Sequence, residues 1–330
     1  RKKIREYDAK KIILGQLSPA PYKGILISPE TNLDTLPPQH PWLLQDKLVI
    51  KPDQLFGKRG KLGLVLLNAN FQEVKQYLKE HLNQEITIGK ATDKLTHFLI
   101  EPYLPHEKEY YLCLTSERNH DTLYFSEEGG INVEENWDKV QKIEISTLTA
   151  IEEVDLRQLP ALPEKVIYFI KEVFKTYQQF HFTYLEINPF ILDSNNNPVL
   201  LDTVACVDSQ AINLSLSKPF GRKSFPEEEF IQNLDKESGA SLKLTILNPL
   251  GRIWNILSGG GASIIYLDTI ADLGKQEEIS NYGEYSGNPT AEETYQYTKT
   301  VLDLMTTDHH PQGKVLIIGG AIANFTDVEK

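Results

Sequence analysis

Cysteine is scarce in this chain. Two residues among 330, Cys113 and Cys206, lie far apart, each inside an apolar run. That argues against a disulfide-stapled scaffold and predicts buried free thiols in a reducing cytoplasm. Positive charge is also short. Lys and Arg number 34 against 46 Asp and Glu, for a net charge of −12. Such a balance argues against a broad nucleic-acid or anionic-membrane surface, while leaving room for a local basic pocket. No apolar run approaches the roughly 20 residues of a membrane-spanning helix. The opening RKKIREYDAKKIIL mixes acids with bases and lacks the apolar centre of a signal peptide. It also lacks an initiator Met, which reads as a trimmed start. The Walker pattern of glycine, four residues and Gly-Lys-Ser/Thr is missing, as are short-period repeats and low-complexity segments. What remains, 40% hydrophobic and 24% charged, is ordinary globular composition. The length allows two or three domains with real cores.

The pattern along the chain suggests three pieces. Residues 1–110 mix strands and helices: VKQYLKEHL has helical spacing, whereas GLVLLN and THFLIEPYL read as strands. Residues 111–215 open on a hairpin signal, EYYLCLTSE and DTLYFSEEGGI around a polar turn. In PEKVIYFIKEVFKTYQQF, the residues Val166, Ile167, Ile170, Val173, Phe174 and Tyr177 recur at helical spacing, with Pro163 suited to the first turn. Residues 216–240, polar and proline-bearing, read as a linker. From residue 241 the order becomes strand, glycine loop, helix, repeated in RIWNILSGGGAS and KVLIIGGAIANF, which predicts a parallel α/β domain. That domain reads as cut short at Lys330, so further protein is expected to cover its open sheet edge.

Chemistry concentrates in a few segments. TYLEINPF and PVLLDT place Glu186, Asn188 and Asp202 at the ends of two apolar runs joined by DSNNNP. Oxygen-bearing side chains there are costly unless something needs them. Magnesium with a nucleotide phosphate would, because it takes one or two protein oxygens and fills the rest from phosphate and water. LVIKPDQLFGKRGKLGLVLLN carries Lys51 at a strand end and Arg59 and Gly60 in a basic loop, where cations and approachable backbone N–H groups suit phosphates. FLIEPYLPHEKEYYL ends a strand in Glu101-Pro102 and adds Glu109; a proline-broken strand edge can present backbone to an adenine and a carboxylate to a ribose. The glycine loops at 259–261 and 319–320 precede expected helices, whose N-termini favour anions. His309 and His310 fall in a polar loop, MTTDHHPQGK, and read as surface.

The order of these segments resembles the ATP-grasp domain of the succinyl-CoA synthetase β superfamily. HPWLLQDKLVIKPDQLFGKRGKLGLV, ESGASLKLTILNPLGRIWNILSGGGASIIYLDTI, NYGEYSGNPT and GKVLIIGGAIANFTDV look like the N-terminal, synthetase-β-like part of the ATP-citrate lyase family. The resemblance implies a mixed α/β and α+β chain: an ATP-grasp domain followed by a parallel α/β domain of succinyl-CoA synthetase-like flavodoxin or Rossmann type. It implies that Lys51, Arg59, Gly60, Glu101, Pro102, Leu104, Glu109 and Asp202 bind ATP. Asn188 and Asp202 would hold the nucleotide's Mg2+, and Asp235, Ser238 and Ala240 a further metal. Gly259, Gly260, Gly261, Gly287, Asn324 and Thr326 would form citrate-binding loops. One departure is Cys206, where the family usually has a lysine.

The implied chemistry is a relay. ATP phosphorylates a histidine, citrate takes the phosphoryl group, and CoA displaces it to give citryl-CoA. A lyase module then yields acetyl-CoA and oxaloacetate. The carrier histidine, most of the CoA site and the citrate-synthase-like module would belong to a synthetase-α-like partner, so no catalytic residue is expected in this chain. A citryl-CoA or succinyl-CoA synthetase β subunit, or a non-catalytic nucleotide-binding scaffold, are the alternatives. The segment AIANFT, where succinate enzymes carry an Arg-Cys-Asp-like run, favours citrate.

Overall fold

The computed structural model describes residues 2–17, 22–55, 63–88, 91–130, 133, 136–208 and 224–320. The chain divides into two compact units, residues 1–222 and 223–330. Among the described residues no helix is long and apolar enough to cross a membrane.

In the first unit the elements run β1 (Lys2–Ile4), α1 (Glu6–Leu17), β2 (Ile25–Ile27), β3 (Leu48–Pro52), β4 (Leu66–Ala69), α2 (Phe71–His81), β5 (Glu85–Ile88), β6 (Ala91–Lys94) and β7 (Phe98–Pro102). They continue with β8 (Tyr110–Ser116), β9 (His120–Ser126), β10 (Gln141–Ser146), α3 (Glu164–Gln179), β11 (Phe182–Leu192), β12 (Pro198–Leu200) and β13 (Thr203–Val207). A smaller sheet has the order β2-β7-β3-β4, and a larger one β1-β13-β11-β8-β9-β10 with β12 on β11. Every pairing in both is antiparallel.

Each sheet has its own core. The apolar stripe of α3, with Val166, Ile170, Val173, Phe174 and Tyr177 buried, packs with Leu112, Leu114, Leu185 and Ile187 of the larger sheet. Burying such side chains stabilises the fold by roughly 1.5–3 kcal/mol each. Pro163 stands just before this helix as its cap rather than inside its first turn. The smaller sheet packs Ile27, Leu48, Ile50, Phe98 and Ile100 against Val74 and Leu78 of α2.

Two strand expectations change. Glu186 and Asn188 lie inside β11, not at a strand end, because β11 runs on for 11 residues. Its register against β8 slips between Ile187 and Phe190, so Asn188 sits at an irregularity that can re-aim a side chain. β7 is a central strand, flanked by β2 and β3, and Pro102 only closes it.

The second unit contains α4 (Pro226–Glu237), β14 (Ser241–Ile246), β15 (Ile253–Ser258), α5 (Gly260–Ile270), β16 (Asn281–Ser286), α6 (Ala291–Thr307) and β17 (Val315–Gly320). The stretch expected to be a linker is helical over Pro226–Glu237. Pro226 takes the first helical position, where its missing N–H costs nothing, and three glutamates follow at the positive end of the helix. That polarity hid an apolar stripe, in which Ile231 is fully buried and Leu234 packs on the same core. The sheet order is β14-β16-β15-β17. β15, β16 and β17 are parallel, but β14 runs antiparallel to β16. The alternating burial of SLKLTI, against the near-continuous burial of β15, is the mark of an antiparallel edge strand. His309 and His310 fall in the connection between α6 and β17, as expected of a surface loop.

Candidate functional site

In the first unit, ionisable groups from the smaller sheet and from α1 converge below the surface on a backbone carbonyl between β12 and β13. Lys51 projects from β3 and is 5% exposed. Its Nζ lies 2.6 Å from Glu6 Oε1 and 3.3 Å from Glu101 Oε2, and it donates to the Leu201 carbonyl. Lys10, on α1 and fully buried, meets the same three acceptors. It donates to both Glu101 oxygens at 2.9 and 2.8 Å and to the Leu201 carbonyl at 3.0 Å, and pairs with Glu6 Oε1 at 2.7 Å. The Tyr22 hydroxyl donates to Glu101 Oε1 at 2.6 Å. Burial, and then the Glu101 charge, push that hydroxyl well above the usual tyrosine range.

The loop after Lys51 reaches back to the start of α1. Asp53 accepts the N–H groups of Glu6 at 2.8 Å and Tyr7 at 3.0 Å, capping that helix. Arg5 donates to the Asp53 carbonyl. Burial pulls the Arg5 guanidinium below its usual range, against the pull of Asp53 and Asp8.

Beyond Leu201 the site continues. The Asn188 N–H donates to the Asp202 carbonyl at 3.0 Å. Asn188 Oδ1 accepts the Gly130 N–H at 2.6 Å. Gly130 has φ +66°, a left-handed conformation that favours glycine, and lies close to the Glu109 carboxylate. Glu109 Oε1 also lies 3.0 Å from His106 Nε2. One chain of contacts therefore runs from Lys51 through Leu201-Asp202 to Asn188, Gly130 and Glu109.

Of the residues expected at a nucleotide, Lys51, Glu101, Asn188, Glu109 and Asp202 are brought into that chain. Pro102 closes the strand of Glu101, and Leu104, two residues on, is half-buried. The Glu101 carboxylate is already taken by Lys10, Lys51 and Tyr22, so what residues 101–104 can offer a base is backbone. Arg59 and Gly60 lie outside the described residues. An ammonium group on Lys51 for phosphate, with an amide oxygen on Asn188 and a carboxylate on Asp202 for a hard cation, is a donor set that fits a magnesium nucleotide. Among the described residues no group of three or more His, Cys, Asp or Glu side chains could hold a metal unaided. Cys206, at the expected lysine position, lies on β13 opposite Lys3 and Tyr184, buried and with a free thiol.

In the second unit Gly259, Gly260, Gly261, Gly287 and Gly320 lie at one end of the sheet. The register aligns Ser241 with Ser286, Ser258 with Tyr285, and Ser258 with Gly320. This is the carboxyl end of the parallel strands, where α/β sheets place their ligands. The Gly259 N–H donates to the Tyr285 carbonyl at 3.1 Å, which puts the 259–261 loop beside Gly287. α5 then starts at Gly260, with no side chain capping it.

A residue that sequence reasoning passed over sits here. Glu284 is buried, pairs with Lys243 at 3.0 Å, and accepts from Ser241 at 3.1 Å and Tyr282 at 3.0 Å. Burial acts to raise its carboxyl, but those bonds outweigh it and hold the group below its ordinary range. A Cβ at Gly260 would meet the Glu284 carboxylate, so any other residue there has to push that side chain aside. Asp235, in the last turn of α4, and Ser238 and Ala240, which follow the helix, lead into β14: Asp235 Oδ1 accepts the Leu242 N–H at 2.6 Å, and Ser238 Oγ the Ala240 N–H at 2.8 Å. Asn324 and Thr326 lie outside the described residues.

Glu6, Lys10, Tyr22 and Asp53 were also passed over. Their signal was local: Glu6 and Lys10 are spaced i, i+4 on one helix face.

Comparison with known proteins shows the family to which the chain belongs. Residues 1–218 match the family described as ATP-citrate synthase ATP-grasp domain, and residues 222–330 that described as ATP citrate lyase citrate-binding. The bovine ATP-citrate synthase is 46% identical over 93% of this chain, which spans only 30% of that relative's length. The rice ATP-citrate synthase alpha chain protein 2 is 45% identical over 99% of the chain and 82% of its own length. The structure of ATP citrate lyase from Methanothrix soehngenii in complex with citrate and coenzyme A superposes with a TM-score of 0.74 at 46% identity. It covers 99% of this chain and 82% of that one. The chain therefore belongs to the ATP-citrate synthase family and carries its ATP-grasp and citrate-binding domains.

Proposed function

We propose that this chain supplies the Mg-ATP and citrate sites of an ATP-citrate synthase. The enzyme would form citryl-CoA at the expense of ATP, and a partner module would cleave it to acetyl-CoA and oxaloacetate. In this reading Lys51, with Arg59 and Gly60, holds the nucleotide phosphates. The backbone of Glu101, Pro102 and Leu104 faces the base, and Glu109 takes the ribose. Asn188 and Asp202 hold Mg2+, which would offset phosphate charge. Phosphoryl transfer needs positioning and charge neutralisation more than covalent protein chemistry, and these residues offer both.

Citrate would lie at the carboxyl edge of the second sheet, on Gly259, Gly260, Gly261, Gly287, Asn324 and Thr326. A further cation could use the segment of Asp235, Ser238 and Ala240, through Asp235 and backbone oxygen. CoA would bind mainly to a synthetase-α-like partner carrying the phosphorylated histidine. The assembly would work in the cytoplasm, in keeping with two buried free thiols.

The observation that carries this reading is the convergence of Lys51 on the Leu201-Asp202 segment, 150 residues away in sequence, with Asn188 bonded to the same segment. The test is Lys51→Ala in the full-length protein. Losing a charge-assisted contact removes about 1.5–3 kcal/mol, so MgATP should bind at least about tenfold more weakly. In the assembled enzyme, oxaloacetate formation should require ATP, CoA and citrate together, with succinate inactive. A folded Lys51→Ala variant with unchanged ATP affinity would remove the nucleotide assignment.

A further inference from the structure

Lys10 has no place in the phosphate-binding set, yet it is held by two carboxylates and a carbonyl. It is fully buried, and the acceptors that hold it are the ones that hold Lys51: Glu6, Glu101 and the Leu201 carbonyl. Two buried ammonium groups thus share two buried carboxylates. A buried charge is tolerated only when it is compensated. If Lys51 alone balanced Glu6 and Glu101, moving its ammonium towards a phosphate would strand two carboxylates next to an incoming anion. With Lys10 in place, both carboxylates and the carbonyl keep a cation when Lys51 leaves.

The geometry supports that division of labour. Lys10 contacts both oxygens of Glu101 below 3.0 Å, whereas Lys51 lies 3.3 Å from Glu101 and makes its closer carboxylate contact, at 2.6 Å, with Glu6. Lys10 projects from a helix anchored at its start by Asp53, while Lys51 projects from a strand that leads, by way of Asp53, into the basic loop. We infer that Lys10 is a positioning residue: a fixed counter-ion on α1 that keeps Glu6 and Glu101 neutralised so that Lys51 is free to engage a nucleotide phosphate. The inference rests on the nucleotide reading above, and the experiment separates the two.

The full-length protein with its partner is titrated with MgATP as wild type, Lys10→Met, Lys51→Ala and the double variant Glu6→Gln/Lys10→Met. In Lys10→Met two carboxylates face one lysine, so Lys51 is retained, and affinity at about pH 8 should fall about tenfold or more. An uncompensated buried carboxylate has a raised pKa. Protonating it near pH 6 should release Lys51 and shrink the penalty to about threefold or less. A purely structural defect would give a penalty that does not change with pH. The double variant leaves Lys51 one carboxylate to balance rather than two and should bind clearly more tightly than Lys51→Ala, which keeps the test open if Lys10→Met alone fails to fold. Wild-type affinity in Lys10→Met, a pH-independent penalty, or a double variant as weak as Lys51→Ala would each overturn the inference. If Lys51→Ala itself binds ATP normally, the nucleotide reading is what fails.

Discussion

His97 shows how strongly the surroundings of Lys51 disfavour unpaired charge. It is buried, its carbonyl accepts the Asp53 N–H at 2.8 Å, and its Nδ1 lies 2.9 Å from Thr96 Oγ1. Burial first, and then the Arg5 charge, lower its pKa to about 4. An unfolded histidine titrates near 6.5, so between about pH 6.5 and pH 4 the unfolded chain binds the extra proton. This group's contribution to stability is therefore complete above about pH 6.5 and is lost as pH falls towards 4. The thermal midpoint of the wild type should drop more steeply from pH 7 to pH 5 than that of His97→Gln. Parallel curves would mean that His97 titrates normally in the folded protein. The same scale shows what a single sequence hides. Lys51 and Asp202 stood out because an ionisable residue at the end of an apolar run is conspicuous. Lys10 and Glu6 did not, because a charged pair at helical spacing looks like any solvated face. Glu284 was likewise masked by the glycines and tyrosines around it.

The helix that carries Lys10 begins on the carboxylate of Asp53, 47 residues from Glu6 in sequence. α6 begins on a local device instead. Thr290 accepts the Glu293 N–H at 3.2 Å, and Glu293 accepts the Thr290 N–H at 2.6 Å. Removing either cap should cost about 0.5–2 kcal/mol. The two losses should differ in reach. Asp53→Ala should lower the urea midpoint, speed hydrogen exchange at the first turn of α1 and weaken ATP binding. Thr290→Ala should lower the midpoint by a similar amount and leave ATP binding alone. Equal ATP affinity in both variants would separate the α1 cap from the nucleotide site. Elements followed their local grammar where the grammar was self-contained, as in α3, the β8–β9 hairpin and the β15–α5 turn. It misled where a neighbour decided the outcome. α4 looked like a linker until β14 covered Ile231. β14 looked like part of a parallel sheet until its pairing with β16 ran the other way. β11 continued through the irregularity at Asn188 because β8 and β13 pair with both sides of it or lead into it.

At the scale of the whole chain, the proposed sites lie in separate units, one built on paired carboxylates and lysines, the other on glycine turns at a strand edge. Citrate brings three carboxylates and a hydroxyl, and a site made from backbone N–H groups, Asn324 and Thr326 can match several of them at once. A site built on specific hydrogen bonds rejects analogues that lack the matching group, because its own polar atoms are left unpaired. Succinate lacks the hydroxyl and one carboxylate, so it should bind at least about a hundredfold more weakly than citrate. Gly260 gives the test its sharpest handle. A methyl group there must displace Glu284, and with it the network that joins Ser241, Lys243 and Tyr282. Gly260→Ala in the full-length protein should therefore weaken citrate binding by about tenfold or more while leaving MgATP affinity within about twofold, since a buried polar network loses its partners in one unit only. Lys51→Ala should show the opposite pattern, and Asn324→Ala should follow Gly260→Ala. Isothermal titration of the three variants with citrate, succinate and MgATP reads all of these outcomes. Equal affinity for the two acids, or citrate binding that survives both Gly260→Ala and Asn324→Ala, would move the acid site away from this edge. It would also leave the chain's specificity to residues elsewhere in the enzyme.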